Sequence, residues 1–249
     1  MTLFLLLLTF LSFADDEVIL HEDLAAHITT DAKTGRVGRL SLSRSPGTNL
    51  NSNLLLSSLS VVVYDRISVG TIPILYFAEN HRFNITLKYS FWQGEEWNWA
   101  LASQYALYRA RGFVSDPPYD PYYIEVNAYS LQLVLNYLPR GSRWAFGYSL
   151  NHIFTDAAVA ASSISESEHK HVAEPGFDIS YMWNEHLDTT LGFGWLRNDG
   201  LTAYESTAFG FGTSLRWKRP GAFLSAPQIG IHYTPKTDNV LYLFSTKIY

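Results

Sequence analysis

Through most of its length this chain changes character at every step, apolar then polar. Residues 129–137, "YSLQLVLNY", are typical. One parity is Tyr129, Leu131, Leu133, Leu135 and Tyr137; the other is Ser130, Gln132, Val134 and Asn136. A β-strand turns successive side chains to opposite faces, so this spacing predicts a strand with one apolar and one mostly polar face. The pattern recurs: Phe83, Ile85, Leu87, Tyr89 and Phe91 alternate with Asn84, Thr86, Lys88 and Ser90. Trp144, Phe146, Tyr148 and Leu150 alternate with Ala145, Gly147 and Ser149. No stretch sustains the 3.6-residue spacing of an amphipathic helix. Turn residues divide the chain into about twelve strands, near 36–43, 53–64, 66–77, 82–92, 96–110, 122–138, 142–154, 175–184, 187–197, 202–217, 224–234 and 239–249. Pro73 inside the third predicts a bulge or a shorter strand.

Many of these strands exceed ten residues, whereas a soluble sandwich is built from strands of about five or six. The apolar faces are bracketed by aromatics, which make up 15 % of the chain, while charged residues make up only 16 %. Tyr129 to Tyr137 spans roughly 26 Å along a strand. Tilted by ~45°, it rises roughly 19 Å, just inside a ~25 Å apolar band. A bilayer core leaves no water for backbone groups, so a sheet that crosses it must close into a barrel. Tyr129, Tyr137, Trp144, Trp183, Trp195 and Trp217 are then the expected interface aromatics. The expectation is an all-β fold: a closed antiparallel up-and-down transmembrane barrel over residues 36–249.

The other features fit this frame. Leu3–Phe13 is an apolar run too short to span as a helix, followed by Ser12-Phe13-Ala14 and two aspartates. It predicts a secretory signal peptide over residues 1–14. Residues 15–35 precede the clear alternation; a periplasmic lead-in, a plug entering the lumen and an interfacial helix all remain open. Connections after even-numbered strands are mostly short ("YDR", "QGEE", "PRGS", "NEH", "KRPGA"), and several of the others are longer, as expected of periplasmic turns and outside loops. The chain has no cysteine, which removes disulfides, thiolate metal sites and a cysteine nucleophile, and a net charge of −5 gives no basic footprint for nucleic acid.

On this pattern, residues 36–249 resemble the Gram-negative outer-membrane β-barrel proteins as a class. The resemblance implies a location in the cell outer membrane, contact with outer-membrane lipid and lipopolysaccharide, and assembly by the barrel assembly machinery. That machinery would read the C-terminal strand "VLYLFSTKIY", which ends on the aromatic Tyr249. A monomer is the favoured state.

The inward parity carries the candidate function. Lys88, Gln104, Gln132, Asn136, Arg143, Asp178, Asp188, Arg216 and His232 are the expected pore-lining residues, with many Gly and Ala between them. Mixed charge among small side chains suits a narrow aqueous path, so a passive channel for small polar solutes, a porin-like function, is the first reading. The second is a non-conducting surface barrel that binds a partner through loops 112–121 and 155–173. A third, weaker reading is a lipid acyl hydrolase. "GYSLNHIFTDA", 147–157, faintly resembles the "GY…His-x-Ser-Asn" segment of outer-membrane phospholipase A and lipid A deacylases, with His152 as base. It departs from that pattern, since Phe154 stands where the nucleophilic Ser belongs. Glu166, Glu168, His169 and His171 fall together in "SISESEHKH", but short mixed clusters in exposed segments are usually solvated, and neither a metal nor any other cofactor is expected.

Overall fold

The computed structural model describes residues 23–34, 37–44, 57–73, 76, 81–113, 121–161, 164–197, 207–219, 222–236 and 238–248. Twelve strands run in chain order: β1 (Leu40–Arg44), β2 (Ser57–Tyr64), β3 (Ile67–Thr71), β4 (His81–Gln93), β5 (Trp97–Phe113), β6 (Pro121–Tyr137), β7 (Trp144–Ala161), β8 (Ile164–Asn184), β9 (Leu187–Arg197), β10 (Thr207–Trp217), β11 (Gln228–Thr234) and β12 (Asn239–Ile248). Each pairs antiparallel with its neighbours in sequence, and β1 pairs with β12 through Leu40–Leu42 and Thr246–Ile248. The result is a closed up-and-down barrel. Closure leaves no sheet edge along the ring.

The alternation decides which side chain faces where. Asn98, Ala100, Gln132, Asn136, Ser149, Asp178 and Thr190 are buried inside. Leu101, Leu131, Phe146, Phe177, Leu191 and Phe211 stand exposed outside. At the end that carries the short turns, the outward residues become aromatic: Trp97 stacks on Tyr137 with centroids 4.4 Å apart, and Trp144 packs on Tyr181 at 4.8 Å. Register shifts between Val62 and Tyr64, Tyr89 and Trp92, and Met182 and Asn184 fall at this same end. They leave Tyr64, Trp92 and Trp183 exposed on the outside; Trp217 joins them. Toward the loop end, Tyr105 packs on Tyr129 at 5.1 Å and Trp195 on Phe209 at 5.2 Å. The turn between β6 and β7 closes through Gly141, whose φ of 67° suits a residue without a Cβ.

Several boundaries differ from those expected. Residues 155–173 are not a loop. β7 and β8 stay paired from Thr155 opposite Lys170 to Ala161 opposite Ile164, and only 162–163 lie between them. This stretch lacks a continuous apolar face, so periodicity hid it, but a ladder needs only backbone groups and compatible side chains. In the other expected loop, 112–121, Gly112 and Phe113 belong to β5 and Pro121 to β6; 114–120 lie outside the described residues. The third strand ends at Thr71 rather than 77. Ile72, just before Pro73, leaves the ladder, its N–H donating to Asn84 Oδ1 and its carbonyl accepting from Asn84 Nδ2 at 3.3 Å. β8 pairs with β9 from Gly176 onward, directly after Pro175, which has no N–H to give. The expected signal peptide, 1–14, and Tyr249 also lie outside the described residues. Among the described residues no helix is long and apolar enough to cross a membrane.

Candidate functional site: the filled lumen

The inside of the barrel is occupied by the chain itself. Residues 23–34 enter at the short-turn end beside Arg216 and Lys247. They reach deepest at His27–Thr29 and return to the same end. There Thr34 Oγ1 donates to the Asp65 carbonyl and accepts from Gln93 Nε2, each at 3.0 Å. β1 begins a few residues later.

Asp178 holds the innermost turn. Its carboxylate accepts the backbone N–H of His27 at 2.7 Å, of Ile28 at 3.0 Å and of Thr29 at 2.9 Å, and the Thr29 hydroxyl at 2.7 Å. Successive backbone N–H groups curled around one anion form a nest. Here the anion is a buried side chain of β8, and the donors belong to the inserted segment.

Glycines make the close approach possible. A Cβ on Gly176 would lie 2.6 Å from Ile28 Cγ2, and one on Gly192 would lie 2.5 Å from His27 Cδ2. Neither position has room for a side chain while Ile28 and His27 keep theirs in place. Gly147, Gly176, Gly192 and Gly212 are thus a floor for residues 24–29.

The expected pore-lining residues are inward-facing, and most of them touch this segment. Lys88 Nζ donates to the carbonyls of Asp31 at 3.0 Å and Lys33 at 2.8 Å. Gln132 accepts the Thr30 hydroxyl at 3.3 Å. Asn136 accepts the Ala32 N–H and donates to the Thr30 carbonyl at 3.3 Å. Arg216, 4 % exposed, donates to Asp188 at 2.8 Å, to Asp23 at 2.6 Å and to the Leu24 carbonyl at 3.3 Å. His232 Nδ1 lies 3.3 Å from His27 Nε2. Gln104 faces inward nearer the loop end, in register with Ser130. Arg143 sits at the short-turn rim, donating to the Trp183 carbonyl at 3.3 Å. Burial pushes the Asp31 carboxyl above its ordinary value, against the opposing pull of the Lys88 ammonium.

The other candidates separate. His152 faces outward on β7 and stacks on His171, ring nitrogens 2.8 Å apart. Ser149 is buried and of opposite parity, so the two do not form a nucleophile–base pair. His169 bonds Asp156 at 2.7 Å, and Glu168 pairs with Lys170 at 2.9 Å. No three His, Cys, Asp or Glu side chains among the described residues converge as metal ligands.

Gln228, inward by the same parity, donates to the Ala26 carbonyl at 2.7 Å, whereas sequence reasoning missed Ser180, whose hydroxyl donates to the Ala25 carbonyl at 3.1 Å. It also missed Asn151 and Glu174, buried at mid-lumen. Inward parity was the available signal; a plug formed by residues 15–35 was one of three open readings, and the contacts it makes were not legible.

A closed twelve-strand antiparallel barrel with an apolar, aromatic outside is consistent with the outer-membrane β-barrel class. No known protein family, no curated protein and no solved structure matches the chain.

Proposed function

We propose that this protein is an outer-membrane β-barrel whose own residues 23–34 act as a plug, so that small polar solutes pass only when the plug leaves. The outward face supports the membrane assignment: large apolar side chains between two zones of Tyr and Trp suit lipid flanked by interfaces. The observation that carries the plug is the Asp178 nest, four donors from three consecutive residues on one buried carboxylate. It makes the first expectation, a standing-open passive channel, the less favoured one.

The test uses a cysteine-free chain to advantage. A Cβ at position 176 would lie 3.7 Å from Ile28 Cβ, within disulfide range. In planar bilayers, Ile28→Cys/Gly176→Cys should be silent when oxidised and regain discrete openings when reduced; deleting 23–34 should give sustained steps. Sustained current through the oxidised form would refute the plug. Silence from the folded deletion variant would refute conduction itself. It would favour the second reading, a non-conducting barrel whose tall β5–β8 wall meets a partner.

A further inference from the structure

Every residue from 24 to 33 hands a main-chain group to a side chain of the wall. The carbonyls of Leu24, Ala25 and Ala26 accept from Arg216 at 3.3 Å, Ser180 at 3.1 Å and Gln228 at 2.7 Å. The N–H groups of His27, Ile28 and Thr29 donate to Asp178. Asn136 takes the Thr30 carbonyl and the Ala32 N–H, and Lys88 takes the carbonyls of Asp31 and Lys33. Side-chain contacts, such as Thr30 to Gln132, are added to this run at intervals. The continuous part of the recognition is thus addressed to atoms that every peptide carries.

A buried segment must pair its backbone in any fold. What differs here is where the partners stand. They are side chains of β4, β6, β8, β10 and β11, whereas the ladders that close the barrel run through backbone groups. The receptor half is therefore built into the barrel rather than lent by the segment. The segment also enters and returns at the short-turn end, so it can withdraw without unthreading. The wall asks little of the seated side chains beyond size. Ala25 is 2 % and Ala32 0 % exposed, and Ala32 packs on Ala100 and Val134. An N–H is needed at 27–29 and at 32, which bars proline there.

We propose that the lumen is a receptor for short peptides, and that residues 23–34 are its built-in competitor. A peptide of about the plug's length, with small side chains aligned with Ala25, Ala26 and Ala32, takes the same seat when the plug leaves. Tethering gives the plug a high effective concentration, so a free peptide wins only in excess or after the plug has been dislodged. Peptide binding rests on the plug reading, since the seat must first be vacated, but not on conduction. A vacated lumen that passes current and binds no peptide would remove the peptide and leave the plug.

The probe is a peptide of the plug's length, capped at both ends, unrelated in sequence to 23–34 except for alanine aligned with 25, 26 and 32. It would be titrated calorimetrically, in zwitterionic detergent, into the full chain carrying Ala25→Trp/Ala32→Trp, whose indoles leave the plug unable to seat. Saturable one-to-one binding is expected there, and none in oxidised Ile28→Cys/Gly176→Cys. N-methylation of the probe at the positions aligned with His27, Ile28 and Thr29 should weaken it by about tenfold or more, because Asp178 loses its donors. In the unaltered chain, excess probe should speed amide exchange at residues 27–32. No saturable binding to the folded tryptophan variant, equal affinity of the N-methylated probe, undiminished binding to the oxidised form, or binding confined to a peptide of the plug's own sequence would overturn the site. If the tryptophan variant does not fold, unchanged exchange in the unaltered chain does so in its place.

Discussion

Lys247, the penultimate residue of β12, pairs with both Asp23 and Asp31, the latter at 3.6 Å. It faces the lumen in register with Ser41 of β1. The last strand therefore grips the inserted segment at both of its limbs. In Lys247→Met the two carboxylates lose this cation, and backbone amides between residues 23 and 31 should exchange with solvent about tenfold faster or more. Unchanged exchange, followed by mass spectrometry of the folded protein, would mean the contact is idle.

Arg216 bridges Asp188 of β9 and Asp23 of the plug from a fully enclosed position. Removing one member of a buried pair strands the other charge. Arg216→Met should lower stability to urea by about 3–5 kcal/mol. The double variant Arg216→Met/Asp188→Leu should lose clearly less than the sum of the two single changes. Additive losses would show that the pair is not coupled.

Asp31 gives the plug a pH dependence of known sign. Its carboxyl titrates above its ordinary value because burial disfavours the charge, while Lys88, the Lys33 N–H and Arg216 pull the other way. The seated plug thus binds this proton more tightly than a plug released into water. From about pH 4 up to the raised value, the Asp31 contribution to seating must grow as pH falls. Asp31→Asn should flatten the change in amide exchange at residues 27–32 across that range. An identical pH profile in the variant would contradict the assignment.

Leu133 lies midway between Tyr129 and Tyr137 on the outward face. Leu133→Arg should cost about 2–4 kcal/mol in unfolding from phospholipid vesicles, because the guanidinium would sit in hydrocarbon. A cost within about 0.5 kcal/mol would mean that this face meets water.

The architecture was largely legible because alternation is a local signal. The ninth strand was expected over 187–197 and β9 is Leu187–Arg197; the sixth, expected over 122–138, is Pro121–Tyr137. The pattern failed where one face no longer needed to be apolar. Residues 155–173 mix Ala, Ser, Glu, Lys and His, and two residues suffice to join β7 to β8, with no Gly or Asn to mark the turn. The lumen was half legible. Parity identified Asp178 and Arg216 as inward, but not what they hold. Asp178 meets Thr29 across 149 positions, and nothing in "AAHITTDAK" announces a partner so distant. The spacing of Gly176 and Gly192 fits solvent, strand curvature or a close neighbour equally well.

The order of synthesis gives the plug a further meaning. Residues 23–34 leave the ribosome before every strand that holds them. Their anchors are Asp178 of β8, Arg216 of β10 and Lys247 of β12, the strand that closes the ring. The segment therefore gains its full set of anchors only once β12 has joined the ring. A fully anchored plug is therefore a mark of completed closure.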